Sequence, residues 1–83
     1  MCGKILVIDD DPAVLRMIEQ ALEGEGYNVY KSYSGQEALS MLDTVQPELF
    51  LIDVGLPNMD GLMLCRKLRS NPEAVHTPII FLT

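Results

Sequence analysis

At 83 residues the chain has room for one domain, and so small a core leaves its stability marginal. A formal net charge of −6 argues against a nucleic-acid backbone or an anionic membrane surface as a direct partner. Hydrophobic residues at 48% against 22% charged place it among globular chains, and no apolar stretch approaches the ~20 residues of a membrane span.

The first predicted element is a strand, Lys4–Ile8, whose run Ile5-Leu6-Val7-Ile8 reads as buried on both faces. Met1-Cys2-Gly3 leads straight into it with no sign of a secretory leader. Three aspartates follow, Asp9-Asp10-Asp11. Asp11-Pro12 starts a helix, because Asp caps and Pro fits the first turn. Val14, Leu15, Ile18, Ala21 and Leu22 recur at helical spacing, and Gly24 and Gly26 end it. Tyr27–Lys31 is a short second strand, around which Tyr27, Tyr30 and Tyr33 are expected to pack. Ser34-Gly35-Gln36-Glu37 has the form of a capping box. Ala38, Leu39, Leu42 and Val45 carry the second helix, with Pro47 beyond its end. Leu49–Asp53 is a third strand, apolar until its last residue. Asp60-Gly61 opens a third helix with Leu64 and Leu68 on its apolar face, and Asn71-Pro72 ends it. Pro78–Leu82 is a fourth strand, followed by Thr83.

Strands alternating with helices imply a parallel sheet with right-handed crossovers, helices on both faces and a ligand site at the carboxyl ends of the strands. If the first and third strands are neighbours, Asp9, Asp10 and Asp53 converge there. Several carboxylates do not share a site in ionised form without a compensating cation. Oxygen ligands of this kind suit a hard divalent ion, Mg²⁺ first, that keeps waters for a phosphate. The plainer reading, Asp9 and Asp10 favouring the positive end of the following helix, leaves Asp53 without a reason. Lys31 and Lys67 are expected on solvent faces, and His76 in a loop with no second ligand nearby. Met17, Met41, Met59, Met63 and Cys65 are expected in packing roles. Cys2 and Cys65 form no disulfide framework and fit free thiols in a reducing cytoplasm.

Four ordered segments carry a resemblance. Ile5-Leu6-Val7-Ile8-Asp9-Asp10-Asp11-Pro12 resembles the opening of a response-regulator receiver domain. Asp53-Val54-Gly55-Leu56-Pro57-Asn58-Met59-Asp60-Gly61 resembles the segment around that family's phosphorylated aspartate. Ser34-Gly35-Gln36-Glu37-Ala38-Leu39 and Pro78-Ile79-Ile80-Phe81-Leu82-Thr83 fit in order and spacing. The resemblance implies a flavodoxin-like α/β fold with strand order 2-1-3-4. It implies that Asp53 accepts a phosphoryl group from a sensor histidine kinase or phosphotransfer protein in two-component signalling. Asp10 and Asp53 would ligate Mg²⁺ (or Mn²⁺) directly, Asp9 through water, and Gly55 by its carbonyl. Thr83 would be the switch hydroxyl. Asp11 has no such role and is read as the helix cap.

The family has five strands and five helices, whereas this sequence supplies four strands and three helices. The expectation is therefore an incomplete receiver over residues 1–83, lacking the fourth helix, fifth strand and fifth helix. The family's lysine at the end of the fifth strand has no counterpart, so phosphoryl transfer is expected to be impaired. The fourth strand, apolar on both faces, is expected as an exposed edge that pairs in a homodimer. A non-signalling fragment that folds only as a dimer is one alternative. A Mg²⁺-dependent phosphohydrolase with an aspartyl nucleophile is another, weakened because position 55 is Gly where that class carries an acidic residue.

Overall fold

The apolar runs and amphipathic stretches become β1 (Lys4–Ile8), α1 (Pro12–Gly24), β2 (Asn28–Ser32), α2 (Gly35–Val45), β3 (Leu49–Asp53), α3 (Gly61–Arg69) and β4 (Ile79–Leu82). They are seen in a computed structural model that describes residues 3–56 and 59–82. The strands form one parallel sheet in the order β2-β1-β3-β4. This is the flavodoxin-like arrangement that the resemblance implies.

Side chains alternate across the sheet, so each strand feeds two cores. Leu6, Ile8, Phe50 and Ile52 lie on one face with Ala38 and Leu42 of α2 and with Leu64 and Leu68 of α3; Tyr30, Ile79 and Phe81 pack against them. Ile5 and Val7 lie on the other face with Leu15 of α1, flanked by half-buried Ile18, Leu22, Leu49, Leu51 and Leu82. β1 is enclosed on both faces, which is why its sequence is a continuous apolar run.

The helix ends follow local chemistry. Asp11 caps α1, its Oδ1 accepting from Ala13 N–H at 2.9 Å. Beyond α1, Gly26 takes φ 97°, a conformation other residues adopt only at a cost. Ser34 Oγ accepts from Glu37 N–H at 3.1 Å. The expected capping box is not reciprocal, however: the Glu37 carboxylate reaches past Ser34 to Tyr33 N–H at 2.7 Å and Ser32 Oγ at 3.3 Å. That ties the end of β2 to the start of α2. α2 closes on Gln46, a non-glycine residue at φ 52° whose N–H donates to the Leu42 carbonyl. Asp60 caps α3 through Met63 N–H at 2.8 Å. The Arg69 guanidinium then donates to the carbonyls of Ala74 and Val75, at 2.9 and 3.2 Å, and closes the turn before β4.

Some details depart from the sequence reading. β2 starts one residue later than expected, at Asn28, so Tyr27 precedes the strand and Tyr33 follows it; both are exposed and only Tyr30 packs. β4 starts at Ile79, because Pro78 has no N–H for the ladder, although its carbonyl accepts from Phe50 N–H. Met41 and Met59 join the core, but Met17 and Met63 are exposed on their helices. Cys65 is a half-buried free thiol, and Cys2 lies outside the described residues.

Candidate metal centre at the carboxyl edge

Because Ile8 pairs with Ile52, the next residues, Asp9 and Asp53, leave the sheet at the same level on neighbouring strands. Asp9, Asp10 and Asp53 each offer a carboxylate oxygen, and these atoms lie within 4.8 Å of one another. Asp9 is buried, Asp53 half-buried and Asp10 exposed. The Asp9 N–H donates to the Ser32 carbonyl at 3.1 Å, and its Oδ1 accepts from Asp11 N–H at 2.9 Å. Burial pushes the Asp9 carboxyl above its ordinary value; the Asp11 N–H works against this, and the charges of Asp53, Asp10 and Asp11 add to it. The ion pair found among the described residues joins Lys31 to Glu19, so none neutralises this cluster. Three crowded carboxylates, one of them desolvated, fit a divalent cation with oxygen ligands.

The loop after β3 is built to present backbone. Val54 and Gly55 are exposed, while Leu56 and Met59 are buried and anchor it. Asp53 Oδ1 accepts from Gly55 N–H at 3.0 Å, which fixes the carboxylate and turns the chain. The Val54 carbonyl accepts from Gly61 N–H at 3.2 Å. Gly61 meets this loop with no side chain between: a Cβ there would lie 2.8 Å from Val54 Cα and 2.9 Å from the Asp53 carbonyl oxygen. The sequence reading gave Gly61 only the opening of a helix. The Asp-Gly pair is visible in sequence, but the closeness of β3 to α3 is not.

The structure brings Asp9, Asp10 and Asp53 together with exposed Gly55 beside them. Thr83 lies outside the described residues, as do Pro57 and Asn58. Lys31, Lys67 and His76 are exposed, as expected.

The sequence from residue 5 to 83 matches the family model "Response regulator receiver domain". Over 83 residues it is 40% identical to the response regulator PleD of Caulobacter vibrioides, covering all of this chain and 18% of that protein. Among solved structures it resembles the N-terminal domain of a response regulator receiver protein from Methanoculleus marisnigri JR1, with TM-score 0.96 and 31% identity over 100% of this chain and 68% of that one. It also resembles the receiver domain of the sensor histidine kinase PA1611 from Pseudomonas aeruginosa PAO1, described with a magnesium ion coordinated in its active site cleft. There the TM-score is 0.92 and the identity 30%, over 100% of this chain and 68% of the other. The chain spans between 18% and 34% of the length of the curated relatives it matches.

Proposed function

The chain belongs to the response regulator receiver family, and from that membership we propose that it accepts a phosphoryl group on Asp53 from a sensor histidine kinase or a phosphotransfer protein. The observation that carries this reading is the convergence of Asp9, Asp10 and Asp53 within 4.8 Å at the ends of β1 and β3. Asp10 and Asp53 would hold Mg²⁺ or Mn²⁺ directly, Asp9 through water, and Gly55 through its carbonyl. When bound, the ion supplies positive charge that offsets the carboxylates and the incoming phosphoryl group.

The chain's own residues set the attack. Gly55 N–H holds Asp53 Oδ1, which orients the carboxylate and leaves Oδ2 for phosphorus. The Oδ2–P bond forms as the P–N bond to the donor histidine breaks, and the imidazole leaves with a proton taken from solvent. Thr83 is proposed as the hydroxyl that turns to the phosphoryl oxygen afterwards. Asp53 is an acceptor rather than a turnover catalyst, because Gly55 stands where a hydrolase of similar chemistry places its acid. No lysine among the described residues pairs with the cluster, so acceptance by this chain alone is slow. A cytoplasmic setting follows from the proposed kinase partner and suits the free thiol of Cys65.

Incubation with acetyl phosphate and Mg²⁺, followed by intact-mass measurement, should give one phosphoryl adduct that is absent in Asp53→Asn. An adduct that persists in that variant overturns the assignment. Steady phosphate release with no adduct favours the phosphohydrolase.

A second reading concerns assembly. β4 is an outer strand of the described sheet and its Ile80 is 52% exposed. An apolar outer strand is a template for pairing, and we propose a homodimer through it. Sedimentation that shows a monomer at high micromolar concentration removes this reading.

A further inference from the structure

Two glycines touch the loop after β3 from the starts of neighbouring helices, and the contacts differ in kind. A methyl group at Gly35 would meet the Met59 side chain, with Sδ at 2.8 Å and Cγ at 3.4 Å. A thioether chain rotates away from such a contact. A methyl group at Gly61 would meet Val54 Cα at 2.8 Å, the Asp53 carbonyl oxygen at 2.9 Å and Ile52 Cγ2 at 3.2 Å. Two of those three atoms are backbone, and only movement of β3's end or of α3 relieves them. α3 is not free to drift, because Leu64 and Leu68 are buried against the sheet and Gly61 N–H is bonded to the Val54 carbonyl.

We propose that Gly61 is a positioning residue for the metal site. Its missing side chain lets the first turn of α3 rest directly on the Asp53–Val54 peptide. That contact sets Asp53 and the following Gly55 carbonyl in register with Asp9 and Asp10. Gly61 touches neither metal nor phosphoryl group and acts through the backbone it supports. The inference rests on the ligand set proposed above. Loss of a supporting partner of metal ligands typically lowers affinity about 10–100-fold.

Calorimetric titration of Mg²⁺ into the whole chain, with metal-free thermal melts, tests this on Gly61→Ala, Gly35→Ala and Val45→Ala. Val45 is a buried residue at the far end of α2 and controls for lost stability. Gly61→Ala should weaken Mg²⁺ binding ~10-fold or more, while the other two stay within about twofold of the unaltered chain. Gly61→Ala binding as tightly as the unaltered chain overturns the proposal, as does an equal loss in Val45→Ala. If the unaltered chain takes up no Mg²⁺, the ligand set itself fails and the proposal falls with it. Should Gly61→Ala not fold, amide exchange in the unaltered chain decides. Saturating Mg²⁺ should slow exchange of Gly61 N–H, bonded to Val54, more than that of Ala38 N–H, bonded to Ser34. Equal slowing overturns the proposal.

Discussion

The two faces of the sheet are not equally closed. Beneath α2 and α3, Leu6, Ile8, Phe50, Ile52, Leu64 and Leu68 are completely enclosed. Beneath α1, burial is confined to Ile5, Val7 and Leu15, while Leu49, Leu51 and Leu82 are half-covered and Ile80 faces solvent. One helix is about 10–12 Å across and strands are ~4.8 Å apart, so it spans little more than two of them. Among the described residues α1 lies over β1 and β2, and the β3–β4 half of that face has no helix upon it. The difference teaches that the site's stability comes from one side: Asp9 and Asp53 end strands whose packing is closed chiefly by α2 and α3.

The sharpest way to break this comparison is Phe50→Ala. Truncating an enclosed Phe costs about 3–5 kcal/mol, against a total of roughly 4–12 kcal/mol for a chain of this size. Circular dichroism in a urea series should show a largely unfolded or very weakly folded population. Leu15→Ala, on the open face, should cost less, about 2–3 kcal/mol, at the low end for such truncations because the neighbouring layer can settle or be wetted. Equal losses for the two variants would sink the idea of unequal faces.

Gln46→Gly sharpens it in the opposite direction. Gln46 holds a left-handed conformation at the end of α2, which glycine adopts without the Cβ penalty. The closed face should gain about 0.5–1 kcal/mol, after the greater freedom of glycine in the unfolded chain is subtracted. An unchanged or lower urea midpoint speaks against strain at that cap.

Asp9 separates fold from site. Its carboxyl is raised in the folded state, so its protonated form favours folding. That contribution is fully present below the ordinary value of 3.8 and is lost as pH rises through the raised one. In metal-free protein at neutral pH, Asp9→Asn should therefore raise the melting temperature and flatten its dependence on mildly acid pH. Mg²⁺ should narrow the gap between the two proteins. A variant that melts lower at neutral pH would show that the buried charge is otherwise satisfied. The smallest effect on a single chain is expected at Ile80→Lys: in dilute, monomeric protein an exposed site on the open face should change unfolding free energy by no more than about 0.5 kcal/mol, and the proposed β4 pairing adds a loss that grows with protein concentration. Any larger effect that grows with protein concentration points to β4 pairing.

The convergence of the candidate site's three carboxylates was legible in the sequence because strand ends are. An apolar run that stops at Asp9 or Asp53 places its carboxylate on the sheet edge whatever the rest of the chain does. The caps at Asp11, Ser34 and Asp60 are equally local and formed where expected. The strand order follows from the resemblance; periodicity alone leaves it open. Contacts between distant segments were not legible. Gly61 against Val54 depends on the separation of β3 and α3, and the exposure of Tyr27, Tyr33, Met17 and Met63 depends on which faces other elements cover. Glu37 bonding Tyr33 rather than Ser34 turns on a side-chain rotamer at the end of β2.

The strand order also has a consequence for synthesis. β1, the earliest of the four strands, is a central one, and its ladder to β3 joins residues 44 positions apart. At about 5–20 residues per second, a ribosome takes some seconds to supply that partner. During that interval this deeply buried strand has α1, β2 and, last, α2 to shelter it, but neither β3 nor α3. A first strand at the heart of the sheet must wait for a long loop to close before its ladder is complete, and non-local pairing of that kind is intrinsically slow and exposed to aggregation.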